Sequence, residues 1–295
     1  MEEGTTLIGT AIQNRKSKIQ RAMVIFPNAK INIGLNILQK RADGYHDIET
    51  LFYPIGFKDA LEYVENGGNE VNFTSSGLNL DIEPEQNIIL KVYRMLRDEC
   101  TLPGLNIHLH KGIPSGAGLG GGSSDAAFFM KFLNEHLDLN ISGERLKSLA
   151  GKMGADCSFF LENRPSFATG TGSQLSPADI SLKGYFLLLI KPPFGSDTKS
   201  AYAGVVPKPF PYNFKEILCG EMKGWKDKIK NDFEPTLFFR FPELEMLKNK
   251  LSKMEPLYLS MSGSGSSVYA IFDRDPTVDP NDFSPGSLIW KEELT

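Results

Sequence analysis

A chain of 295 residues, 41% hydrophobic and 23% charged, is long enough for a large core and for division into two domains. Its formal net charge of −4 excludes the basic face that general nucleic-acid binding needs, and its three cysteines, Cys100, Cys157 and Cys219, are too few and too scattered for a disulfide framework or a four-ligand zinc site. A reduced cytoplasm is the simplest setting.

No segment is long and apolar enough to span a membrane, so neither a membrane nor nucleic acid is expected as a partner. Residues 1–21 contain Arg15, Lys16, Lys18 and Arg21 but no continuous apolar run, which excludes a secretory signal. The apolar alternation starts at Met23, and residues 1–22 are expected to be a disordered extension.

From Met23 the chain reads MVIFPNAKINIGLNIL. Ile31, Ile33, Leu35 and Ile37 alternate with Asn32, Gly34 and Asn36, which predicts a strand with Lys30 and Asn32 on its polar face. A lysine in such a place is ordinarily solvated. This one stands between Ala29 and the amide of Asn32 with no other charge nearby in sequence, as where a ligand approaches. Next, RADGYHDIETL places the turn signal Asp43-Gly44 before Tyr45 and His46, predicting a hairpin-like bend that leads into a strand over residues 48–55. Residues 66–69 read as a strand connection. A packing helix is expected over residues 87–99, with Ile88, Val92, Met95 and Leu96 on one side.

Leu105, Ile107 and Leu109 alternate with Asn106, His108 and His110, as in a half-buried strand. The next stretch, IPSGAGLGGGSSDAA, organises the rest of the chain. Glycines lack Cβ, so their N–H groups can approach an anion closely, and a helix N-terminus adds donors and a partial positive charge. Ser123 or Ser124 is expected to cap that helix, Asp125 suits its first turn, and Ala126, Phe129, Met130, Leu133 and Leu137 form its core-facing stripe.

Strand, glycine loop and helix together make a phosphate cradle, and spacing sorts the classes. A Walker P-loop needs Lys before Ser, where this chain has Gly122. Gly116, Gly118 and Gly121 match the dinucleotide pattern G-x-G-x-x-G, but the segment after the helix, residues 142–153, reads as another helix instead of a strand ending in an acid. A flexible linker would not run at once into an amphipathic helix.

The second helix carries Leu146, Leu149, Ala150 and Met153 and ends at Gly154. Asp156 then falls between that helix and an apolar run, residues 157–161, read as a strand. Its apolar neighbours favour a buried carboxylate, which stays ionised only beside a cation. After GTGS at residues 170–173, YFLLLIK at residues 185–191 is a nearly continuous apolar strand, expected at the centre of a second sheet, and the domain boundary is set near Leu175. Helices are expected around residues 214–218 and 243–254. YLSMSGSGSSVYAIF, residues 258–272, reads as strand, glycine loop, strand, and its Gly/Ser run is longer than a hairpin turn needs. The tail, residues 273–295, is expected to be peripheral.

The pattern P-x-G-x-G-L-G-S/G-S-S, residues 114–124 here, resembles the second motif of the GHMP small-molecule kinases, which phosphorylate galactose, homoserine, mevalonate and phosphomevalonate. With PNAKIN at residues 27–32, RADGYH at residues 41–46 and GAD at residues 154–156, in that order, the chain closely resembles the GHMP branch whose substrate carries a cytidine diphosphate group. The resemblance runs from about Phe26 to Phe272.

It implies a two-domain α+β fold, with a ribosomal-protein-S5-like N-terminal domain over residues 23–174 and a ferredoxin-like C-terminal domain over residues 175–295. The implied reaction is ATP-dependent phosphorylation of the 2-hydroxyl of a cytidylated methylerythritol, a step of the non-mevalonate isoprenoid route. Asp156 would take the hydroxyl proton beside Lys30. ATP, with Mg²⁺ bridging its β- and γ-phosphates, would lie on Pro114, Gly116, Gly118, Leu119, Gly120, Gly121, Gly122, Ser123 and Ser124. Asn32, Tyr45, His46, Thr198 and Tyr202 would hold the substrate, with cytosine stacked between Tyr202 and Tyr45 and its polar edge on His46. Gly263, Ser264 and Gly265 resemble the third motif, over the active site, and the segment NDFE at residues 231–234 a cap or inter-domain contact. The implied protein ligands of the metal stay unassigned, and monomer and homodimer stay open. Another GHMP kinase, or a nucleotide-binding regulator on the same fold, are the alternatives. RADGYH and the aromatic pair speak against the first, and the presence of both Lys30 and Asp156 against the second.

Overall fold

The computed structural model describes residues 22–80 and 84–295, so the expected extension lies outside the described residues apart from Ala22. In chain order the elements are β1 (Met23–Ile25), β2 (Asn28–Lys40), β3 (His46–Lys58), β4 (Ala60–Glu65), β5 (Val71–Gly77), α1 (Ile88–Glu99) and β6 (Leu105–Lys111). Then come α2 (Gly121–His136), α3 (Gly143–Met153), α4 (Ala155–Glu162), β7 (Ser166–Thr169), β8 (Gln174–Pro177) and β9 (Phe186–Lys191). The chain continues through α5 (Thr198–Ala203), α6 (Phe214–Cys219), α7 (Glu234–Arg240), α8 (Pro242–Ser252), β10 (Tyr258–Met261), β11 (Val268–Phe272) and β12 (Leu288–Glu293).

Among the described residues the strands form three four-stranded sheets, ordered β1-β4-β6-β5, β2-β3-β7-β8 and β10-β11-β9-β12. The first is half-buried: Tyr63, Ile107 and Leu109 pack with Tyr93 and Leu96 of α1 and Phe129 and Met130 of α2, while Asn106 and His110 face solvent. That is the alternation expected of β6, and it sets α2 directly behind the glycine loop.

β2 is buried along both faces, which simple alternation does not predict. Its pairing with β3 shifts register between Ile33 and Leu35, at Gly34, whose φ is +65°. A bulge of one residue moves the residues beyond it to the other face. Ala29, Ile31 and Ile33 therefore enter one core, shared with Leu187 and Tyr269 of the third sheet, whereas Leu35 and Ile37 enter another, with Leu188 and Leu237. The third sheet divides its residues between the same two cores, so the continuous apolar run of β9 is an interior strand between β11 and β12.

Three local expectations are corrected. Residues 157–161 lie in α4, not a strand: Cys157, Phe159, Phe160 and Leu161 are all buried, and a short apolar run does not separate strand from buried helix. The tail is not peripheral, because β12 pairs with β9 and Leu294 is buried. Neither Ser123 nor Ser124 caps α2; its N-cap is Gly120, in the left-handed region. Around Leu175, where the boundary is expected, β8 pairs with β7 and carries the second sheet to Pro177. The segment at residues 231–234 does tie the halves together. Asn231 Nδ2 donates to the carbonyls of Met261 and Gly263, each at 2.8 Å, and Asp232 Oδ2 accepts from Ile37 N at 2.8 Å. No helix among the described residues is long and apolar enough to cross a membrane.

Candidate active site

A cavity of about 1250 Å³ opens between the two halves, more than one small ligand requires. One end is built from the glycine loop. Gly116, Gly118 and Gly120 adopt φ of +61°, +75° and +71°, and a Cβ on Gly118 would stand 1.9 Å from the carbonyl oxygen of Ser262. Only glycine fits there. The first backbone bond of α2 runs from Ser124 N to Gly120 O at 2.9 Å, which leaves the amides of Gly121, Gly122 and Ser123 at the helix N-terminus, beside the cavity they line. Donors without carbonyl partners on a surface open to ligand form an anion cradle, and it fits a nucleotide's phosphates.

Lys30 and Asp156 meet next to this loop. Lys30 is 3% exposed, not solvated; its Nζ lies 3.3 Å from Asp156 Oδ2 and 2.5 Å from Asn32 Oδ1, and 5.0 Å above the Phe52 ring. Its backbone N–H donates to Leu119 O at 3.0 Å, and a Cβ on Gly120 would come within 3.1 Å of its Cε. The loop therefore fixes the lysine. Asn32 is oriented in turn by a bond from its Nδ2 to Thr50 Oγ1 at 3.0 Å. Asp156 sits in the first turn of α4, where a carboxylate is favoured, and is half-buried instead of fully buried. A carboxylate open to the cavity beside a buried ammonium can accept a proton from a hydroxyl while the ammonium faces the developing oxyanion.

The other end is aromatic. The His46 and Tyr202 rings stack with centroids 4.8 Å apart and planes at 19°, and Phe233 meets Tyr202 edge-on at 4.8 Å. Burial, and then the charge of Lys40, lower the pKa of His46 and favour neutral imidazole; burial and then the Asp156 charge push the Tyr202 hydroxyl up to about 12. Tyr45 lines the cavity but is 67% exposed and stacks on no ring among the described residues. Thr198 lies at the same end, its Oγ1 2.9 Å from Ser264 Oγ.

The GHMP kinases N-terminal domain matches residues 87–163, and the GHMP kinases C-terminal domain residues 214–279. The chain is 46% identical over 274 residues to a 4-diphosphocytidyl-2-C-methyl-D-erythritol kinase of Bacteroides fragilis, covering 92% of this chain and all of that one. It is 44% identical over 273 residues to the protein of that name from Parabacteroides distasonis, again 92% of this chain and all of that one. The chain belongs to the GHMP kinases, in the 4-diphosphocytidyl-2-C-methyl-D-erythritol kinase family. A crystal structure of 4-(cytidine 5'-diphospho)-2C-methyl-D-erythritol kinase superposes with a TM-score of 0.72 at 30% identity, over 84% of this chain and 90% of that one. The two-domain α+β fold is that of the family, and the chain is a small-molecule kinase that uses ATP.

Of the residues singled out in the sequence of this kinase, Lys30, Asn32, Pro114, Leu119, the loop glycines and Ser123 all line the one cavity with Asp156, Tyr45, His46, Thr198, Tyr202, Gly263 and Ser264. Ser124 and Gly265 do not. Ser124 is fully buried, its Oγ without a partner, and Gly265 packs on Met261 and Leu237.

Two features escape a reading by motif. Ser262 Oγ donates to Gly118 O at 2.9 Å and accepts from Asn32 N at 3.2 Å, joining both glycine loops to the strand that carries Lys30. Below the first loop, Lys111 Nζ is bonded to Asp59 Oδ2 and, at 2.8 Å, to Asp125 Oδ2. Asp59 Oδ1 accepts from Gly112 N at 2.7 Å and Ile113 N at 2.8 Å. Burial raises the Asp125 carboxyl well above the usual range; it would lower Lys111, but Asp125 and Asp59 more than offset that and raise it. The triad ties the start of the loop to the first turns of α2. Only the apolar and polar alternation of β6, which ends at Lys111, hints at it in sequence.

Proposed function

We propose that this chain transfers the γ-phosphoryl group of ATP to the 2-hydroxyl of 4-diphosphocytidyl-2-C-methyl-D-erythritol, giving the 2-phosphate and ADP in non-mevalonate isoprenoid precursor biosynthesis. The observation that carries the reading is that one cavity holds a phosphate cradle, a lysine–aspartate pair and an aromatic nucleoside end. Phosphoryl transfer needs positioning and charge neutralisation more than covalent help. Asp156 accepts the hydroxyl proton, Lys30 stabilises the alkoxide that develops, and Asn32 holds Lys30 in place. The amides of Gly121, Gly122 and Ser123 take the β- and γ-phosphates, and Gly263 and Ser264 close over them. Cytosine is held among Tyr45, His46 and Tyr202, with Thr198 beside it.

Mg²⁺ carried by the nucleotide would supply charge neutralisation at the phosphates held by the amides of Gly121, Gly122 and Ser123. Among the described residues no group of three or more His, Cys, Asp or Glu side chains forms a cage for it. The three unbridged cysteines support a reducing, cytoplasmic setting.

The test is ADP release with the cytidylated substrate against mevalonate, homoserine and galactose, with Asp156→Ala alongside. Turnover confined to the cytidylated alcohol, and lost in the variant, supports the assignment. Turnover with another of these alcohols makes the chain a different GHMP kinase, and nucleotide binding without turnover makes it a regulator.

A further inference from the structure

Four lysines line the cavity: Lys30, Lys40, Lys111 and Lys199. Two are committed, Lys30 to Asp156 and Lys111 to Asp59 and Asp125. Among the described residues, Lys40 and Lys199 have no carboxylate within ion-pair distance. The nearest acid to Lys199 in sequence, Asp197, feels the Lys199 charge but is held chiefly by Ser200, whose N–H and hydroxyl donate to its Oδ2 at 2.8 and 2.6 Å. Lys40 adjoins His46 in the hairpin and Lys199 lies in the helix that carries Tyr202.

Their placement is not scattered. Lys40 is the last residue of β2 and pairs directly across the hairpin with His46, the first residue of β3. Lys199 precedes Tyr202 by three residues in α5, so the two share a face of that helix. His46 and Tyr202 are the stacked pair. One cation from each half of the molecule thus brackets the rings on which a base would lie. A neutral alcohol or a bare nucleoside gives two cations outside any ion pair nothing to neutralise, whereas a nucleoside diphosphate ester carries its charge one ribose away from the base.

We infer that Lys40 and Lys199 are specificity-determining residues that grip the diphosphate joining base and polyol, one from each half of the cavity. The inference rests on the function proposed above, and it makes discrimination between nucleoside and nucleoside diphosphate a property of two exposed side chains. It also gives the lowered pKa of His46 a use, since a neutral ring beside Lys40 leaves the cationic work to the lysines.

Calorimetric titration of the full chain, with the cradle saturated by ADP, tests this using cytidine and CDP as probes. The wild type binds CDP more tightly than cytidine, and added salt erodes the difference. In Lys40→Met/Lys199→Met the CDP-to-cytidine preference falls roughly tenfold and loses its salt dependence, the scale of lost charge-assisted hydrogen bonds. Cytidine affinity and, in a separate titration, ADP affinity stay within about twofold, which also shows that the variant is folded. An unchanged preference overturns the lysine assignment and leaves the proposed function standing. A matching loss of ADP affinity overturns it too, by placing the lysines at the ATP end. Failure of the wild type to bind either cytidine or CDP overturns the nucleoside reading and the lysines with it.

Discussion

The two ends of the cavity are made of different material. At the phosphate end the chemistry is in the backbone: a loop with three positive-φ glycines, locked against Ser262 and pinned from below by the buried Asp59–Lys111–Asp125 triad. At the nucleoside end it is in side chains borne by a hairpin and a helix of six residues, with Tyr45 67% exposed and Lys40 and Lys199 exposed. A transferring phosphoryl group needs donors fixed before it arrives, because reorganisation during the reaction raises the barrier. Recognition of a base tolerates adjustment. The contrast predicts that damage at the first end is severe and damage at the second graded.

The largest effect is expected from Asp156→Ala. Removing a general base costs about 10²–10⁴-fold, so kcat should fall by that range while ADP affinity is retained; a loss of ADP affinity of the same size would move Asp156 into nucleotide binding. Next is Lys111→Met, which leaves two carboxylates buried without their cation. A stability loss of about 3–5 kcal/mol by urea denaturation is expected, and a loss under about 1 kcal/mol would show that the triad does not pin the loop.

At the other end Tyr202→Leu keeps bulk but removes the stacking surface. Stacking adds about 0.5–1.5 kcal/mol, so cytidine affinity should weaken a few-fold with ADP affinity unmoved, and equal losses for both ligands would erase the distinction between the ends. The smallest effect concerns pH. With its pKa lowered, His46 is neutral near pH 7 and becomes cationic only as pH falls through that lowered value. Binding of uncharged cytidine should therefore hold constant near neutrality and decline only as pH falls below the ordinary histidine value of 6.5, a decline that His46→Gln removes. A decline of the same slope in the variant would assign it to another group.

The same contrast explains which features are legible in the sequence. The glycine loop, α2 and the alternation of β6 are readable because each rests on local rules: glycine where φ is positive, a 3.6-residue stripe, a period of two. Lys30 and Asp156 stand out by family motif, but their surroundings do not. The bulge at Gly34 buries both faces of β2, and α4 reads as a strand because a short run buried all round has no period to detect. The triad joins residues 59, 111 and 125, and β12 joins the third sheet across a long connection. Such partners are chosen by tertiary packing, which no local pattern records.

The most direct measurement of whether both ends serve one reaction is kcat/KM for the intact cytidylated polyol against 2-C-methyl-D-erythritol 4-phosphate, which offers the same 2-hydroxyl without the nucleoside. Binding energy from a remote group contributes to the transition state when it positions the reacting one, and a preference of roughly 10²-fold or more for the intact substrate is expected. Equal values for the two would contradict the account, because the stacked rings would then contribute nothing to the transfer at Asp156.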